Sequence, residues 1–96
     1  MTDIGNIIFN KKNIFVFFDE VYLFGSSLGN RQHPNDIDLL LVYKKYSTQI
    51  QNEKNNIILY LESLLKIPVD ITILSEKELK QTNFLERLKT PYKKIK

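Results

Sequence analysis

Ile4, Ile7 and Ile8 recur at helical spacing near the start of this chain, which then becomes almost continuously apolar from Ile14 to Phe18. Phe15, Phe17 and Phe18 read as core residues, either finishing a helix or forming a short buried strand, and the spacing leans towards helix. Val21-Tyr22-Leu23-Phe24 is a strand candidate, closed by Gly25-Ser26-Ser27. Residues 28–35 are rich in turn formers and predict a loop with room for one helical turn. From Ile37 to Tyr43 nearly every position is apolar on both faces, the pattern of a central strand covered on both sides.

Beyond it, Thr48 followed by Gln51 has the spacing of a capping box. It opens a helix in which Ile50, Ile57, Ile58, Leu61, Leu64 and Leu65 recur with helical period. Pro68 stops that segment, and Val69 to Leu74 predicts a third strand. Ser75 with Glu78 forms a second capping box, starting a helix around Leu79. A further short helix covers Phe84, Leu85 and Leu88 before Pro91 ends it. No repeat or Pro/Gly/Ser-rich linker interrupts the order, which is helix, strand, loop, strand, helix, strand, helix. The expectation is one α/β (α+β) domain over residues 1–96, a small mixed β-sheet with flanking helices.

Composition narrows the function classes. Ninety-six residues, 43% hydrophobic and 26% charged, are ordinary for a globular domain and too few for two cores. The net charge of +3 suits an anionic ligand, a nucleotide or RNA, although solubility explains it more simply. With no cysteine, thiolate metal sites and disulfides are excluded, and the single histidine, His33, argues against zinc or a histidine-based triad. The N-terminus lacks the basic-then-apolar order of a signal peptide, and no apolar run approaches a membrane span, so the expected location is cytoplasmic. Lys89, Lys93, Lys94 and Lys96, with Tyr92 among them, offer a contact for RNA or a partner, but read first as a solvated, frayed terminus.

Aspartates inside apolar strands are the anomaly. Asp36 and Asp38 lie two residues apart, so both side chains point to one face, with Cβ atoms about 7 Å apart at the rise of an extended chain. Carboxylates that close repel, and a divalent cation such as Mg²⁺ removes the conflict by taking oxygen ligands from them, from water and from substrate phosphate. Asp70 sits second in the third strand and joins the same face if that strand pairs beside the second. Three carboxylates then suit a two-metal site for in-line attack at phosphorus. Singly, Asp36 also reads as the end of a turn after Pro34-Asn35, and Asp70 as a strand-edge residue answering a lysine. Upstream, Gly25 lets a phosphate approach the backbone, where the following N–H groups and the Ser26 hydroxyl can donate to it.

Residues 21–43, with Gly25-Ser26, a loop and the Asp36-Ile37-Asp38 strand, resemble the signature of the polymerase-β-type nucleotidyltransferase superfamily. Pro68-Val69-Asp70-Ile71-Thr72-Ile73-Leu74 is similar to the strand that carries its third carboxylate. In length and layout the chain resembles the minimal nucleotidyltransferases (MNT) encoded beside a helical HEPN partner in toxin–antitoxin pairs. The resemblance implies a nucleotidyltransferase fold, two Mg²⁺ ions held by Asp36, Asp38 and Asp70, and a triphosphate, from ATP or another NTP, gripped by Gly25, Ser26 and Ser27. By the same resemblance, Asp70 would also help to deprotonate the attacking hydroxyl. Where many members carry Ala-Arg-Gly this chain has Leu28-Gly29-Asn30, and Arg31 is the candidate replacement for the missing phosphate contact.

The reaction so implied moves a nucleoside monophosphate to a hydroxyl and releases pyrophosphate. One acceptor is a tyrosine of a HEPN ribonuclease, which makes this chain an AMPylating antitoxin. A tRNA end is another, which makes it a toxin. A non-catalytic module that inhibits its partner by contact is the reading from a different class. Because a domain this short forms only part of a deep pocket, a protein partner or a second copy is expected to complete it.

Overall fold

The strand whose pattern reads apolar on both faces, Ile37–Tyr43 (β2), lies inside a sheet ordered β3-β2-β1-β4. The computed structural model describes residues 4–25, 36–88 and 91–96. Around β2, β1 (Glu20–Phe24) pairs antiparallel and β3 (Val69–Ser75) parallel, so the sheet is mixed as expected. The parallel step is made through α2 (Thr48–Leu65), the long crossover that parallel strands require.

Alternation along β2 divides the interior in two. Ile37, Leu39 and Leu41 enter the larger core with Ile4 and Ile8 of α1 (Ile4–Asn10), Phe15, Phe18, and Ile50, Ile57 and Leu61 of α2. Leu40 and Val42 enter a smaller one with Tyr22, against Leu79 of α3 (Glu76–Thr82) and Phe84 and Leu85 of α4 (Phe84–Arg87). Each fully buried Leu, Ile or Phe contributes about 1.5–3 kcal/mol. A one-residue slip of β2 would exchange the two sets and carry Asp38 to the wrong face.

Several local expectations change. After α1 the chain takes a 3-10 turn, Lys12–Phe15, in place of a continuing helix or a strand. With three residues per turn, Phe15 and Phe18 share the inward side and are 0% and 1% exposed, whereas Phe17 is 42% exposed and is not a core residue. Thr48 is already helical, Ser47 is the N-cap, and it makes no side-chain cap bond, so the Thr48–Gln51 capping box does not form. Leu64 falls outside the buried stripe of α2. The Ser75–Glu78 box does form: the Glu78 N–H donates to Ser75 Oγ, and the Ser75 N–H donates to Glu78 Oε1, both at 3.0 Å. The last helix ends at Arg87, with Leu88 already extended.

The C-terminal segment corrects a larger expectation. Tyr92–Lys94 is a fourth strand, β4, antiparallel to β1, where a frayed tail was predicted. Ile95 is 2% exposed in the larger core, and the Lys96 ammonium donates to the carbonyls of Phe15 (3.1 Å) and Phe18 (2.6 Å). The physical reason is the edge of β1, whose backbone groups need partners that this short lysine-bearing strand supplies. Among the described residues, no helix is long and apolar enough to cross a membrane.

Candidate metal and nucleotide site

Asp38 and Asp70 are each the second residue of their strand, and the parallel register sets them directly side by side. Asp36, one residue ahead of β2, completes the group. Each of the three offers a carboxylate oxygen, and these oxygens all lie within 4.8 Å of one another. Asp36 and Asp38 are half-buried and Asp70 is exposed, so the cluster opens to solvent on the β3 side.

Asp70 is placed by the end of α2. Lys66 adopts a left-handed conformation (φ 59°) and its N–H donates to the Glu62 carbonyl at 2.9 Å, closing the helix. The Glu62 carboxylate then accepts the N–H of Val69 at 2.9 Å, and the Ile37 N–H donates to the Pro68 carbonyl at the same distance. Glu62 thereby fixes where β3 begins, one residue before Asp70. Sequence reasoning missed this role, since a glutamate near a helix end carries no signal of which backbone group it will meet.

Gly25 closes the site on the other side. It leaves β1 with φ +85°, and a Cβ there would fall on the Asp38 carboxylate, well inside contact distance. Phe24 pairs with Asp38 in the register, so glycine is what lets the chain turn over the carboxylate immediately afterwards. Ser26, Ser27, Arg31 and His33, and likewise Lys89 of the basic tail, lie outside the described residues. Tyr43 and Tyr46 are at the opposite end of β2 from Asp38, edge-to-face with each other at 5.9 Å, and are not part of this site.

Burial first, and then the charges of Asp36 and Asp70, push the Asp38 carboxyl above its ordinary value. Both causes penalise the ionised form, and both are relieved by a cation held between the carboxylates. The donor set is all carboxylate oxygen, the chemistry of hard divalent ions such as Mg²⁺, Ca²⁺ or Mn²⁺. Residues and geometry therefore fit a divalent metal.

The same face of the sheet carries one further regularity. Asp70, Asp38, Phe24 and Tyr92 are mutual register partners across β3, β2, β1 and β4, forming a single row of two carboxylates followed by two aromatic rings. The small core of Tyr22, Leu40 and Val42 lies behind this row, under α3 and α4.

With this geometry in place, comparison with known families finds one match. The family model described as "Polymerase beta, Nucleotidyltransferase" matches residues 3–90. Comparison with curated proteins and with solved structures returns no match.

Proposed function

The chain belongs to the polymerase-β nucleotidyltransferase family, and from that premise we propose that it transfers AMP from ATP to a hydroxyl of a protein partner, with pyrophosphate as the leaving group. The observation that carries this reading is the convergence of Asp36, Asp38 and Asp70 on one point of the sheet, with Gly25 turned over Asp38.

Asp36, Asp38 and Asp70 are the residues that would hold the divalent metal. Bound there, Mg²⁺ supplies charge neutralisation at the phosphates and lowers the pKa of the attacking hydroxyl. Gly25 leaves the backbone bare where the triphosphate docks, and Ser26, Ser27 and Arg31, which follow it in the chain, would donate hydrogen bonds to the phosphates. The acceptor oxygen attacks the α-phosphorus and forms the new O–P bond, as the bond from that phosphorus to the bridging oxygen of the pyrophosphate breaks. The hydroxyl proton passes to the Asp70 carboxylate, the exposed member of the three and the one open to an incoming acceptor.

The acceptor we favour is a tyrosine of a HEPN-type ribonuclease, with this chain as the antitoxin of the pair. The resemblance of residues 21–43 and 68–74 to minimal members supports it. Purified chain incubated with Mg²⁺, labelled ATP, the protein encoded beside it and bulk tRNA tests the reading. Label should enter the neighbour, and should be lost with Asp38→Ala. Label entering tRNA would identify a toxin instead. An unlabelled neighbour that Asp36→Ala/Asp38→Ala protein still inhibits fully would make the chain a non-catalytic inhibitor.

A further inference from the structure

The aromatic half of the cross-sheet row has no part in the chemistry above. Phe24 follows Asp38 in register on the next strand, and Tyr92 follows Phe24 on the edge strand beyond. Directly opposed residues of antiparallel strands share a face, so both rings stand on the carboxylate side of the sheet. Neighbouring strands are about 4.8 Å apart, which sets Tyr92 about 10 Å from the Asp38 column. That is within reach of one nucleoside extending from an α-phosphate held at the carboxylates.

Both rings are braced from behind. Phe24 meets Phe84 of α4 edge-to-face at 5.7 Å, and Tyr92 meets the buried Tyr22 edge-to-face at 5.8 Å. Such contacts fix ring orientation. Phe24 is half-buried, whereas Tyr92, on the edge strand, is 48% exposed, so one face of its ring is open to a ligand.

We propose that Tyr92, continuing from Phe24, is a stacking platform for the nucleobase of the bound nucleoside triphosphate. The carboxylate end of the row takes the phosphates through metal, and the aromatic end takes the base. Stacking accepts any base through its π-face and discriminates weakly, so the platform selects for nucleotides over bare polyphosphates, with purines held tighter than pyrimidines. This inference rests on the nucleotidyltransferase reading, and its test separates the two.

The experiment measures binding of a non-hydrolysable ATP analogue and of inorganic tripolyphosphate to the full chain in Mg²⁺, by calorimetry. Wild type should bind the analogue more tightly than tripolyphosphate. Tyr92→Leu, which keeps an apolar strand residue, should weaken the analogue by about 5- to 150-fold, the range of one lost base stack, and leave tripolyphosphate unchanged. Tyr92→Trp should retain analogue binding and so exclude a loss due to misfolding. Equal affinity of wild type for both ligands, or an analogue affinity that Tyr92→Leu does not alter, would overturn the platform and leave the transferase reading standing. Failure of wild type to bind either ligand would overturn both.

Discussion

Gly25, the residue after β1, lies so close to Asp38 on the neighbouring strand that a Cβ at position 25 would overlap the Asp38 carboxylate, which would have to shift to admit it. Gly25 also holds φ at +85°, where L-residues are strained. One position therefore joins a backbone requirement to the placement of a candidate metal ligand.

Gly25→Ala is expected to destabilise the protein by about 1–3 kcal/mol through the strained backbone alone, and further by displacing Asp38. The second part should vanish in an Asp38→Ala background. Chemical denaturation of the two single variants and the double variant measures it. Equal losses in both backgrounds would show that the two residues do not meet.

Asp38→Asn should raise the stability of the metal-free protein, because it removes a charge that burial and two neighbouring carboxylates already oppose. Mg²⁺ should reverse the ranking. At a hundredfold excess over its dissociation constant it adds about 2.7 kcal/mol to wild type and much less to the variant. Thermal unfolding with chelator and with Mg²⁺ decides this, and an equal Mg²⁺ shift in both proteins would move the metal elsewhere.

Glu62→Ala leaves the Val69 N–H without its acceptor and loosens the start of β3. Mg²⁺ affinity and transfer rate should fall together, and Glu62→Gln, whose amide oxygen can still accept, should recover most of both. A Glu62→Gln protein as impaired as Glu62→Ala would point to charge, not position.

The α3 cap gives a pH dependence of known sign. The Ser75 backbone N–H, then the Ser75 side chain and the Tyr43 hydroxyl, hold Glu78 below its ordinary 4.5 against an opposing effect of burial. Stability from this group is thus complete above 4.5 and drains away as pH falls through the lowered value. Glu78→Ala should be less stable than wild type at neutral pH, with the gap closing in acid. A gap that widens on acidification would contradict the cap.

If the C-terminal segment is the structural strand described above, Ile95→Ala should cost about 2–5 kcal/mol, as for other buried aliphatic truncations. Lys96→Ala should cost about 1 kcal/mol, from its bonds to Phe15 and Phe18. Changes within about 0.5 kcal/mol for both would restore a frayed tail.

The amino-acid sequence by itself determined the elements whose signals are local. The two-sided apolar run of β2, the period of α2, the Ser75–Glu78 cap and the pairing of Asp36 with Asp38 on one face are short-range consequences of residue type and spacing, and each stands in the fold. Local signals misplace boundaries where neighbouring patterns compete, as at Phe17 and at Thr48–Gln51. Only the tertiary structure decided that β3 lies parallel beside β2 with Asp70 in register with Asp38, since strand order depends on contacts distant in the chain. It alone turned the lysine-rich terminus into β4, because pairing there depends on the unfilled edge of β1 and not on the terminus's own propensity. The same long-range pairing set Phe24 and Tyr92 in one row with the carboxylates, a juxtaposition that no spacing along the chain encodes.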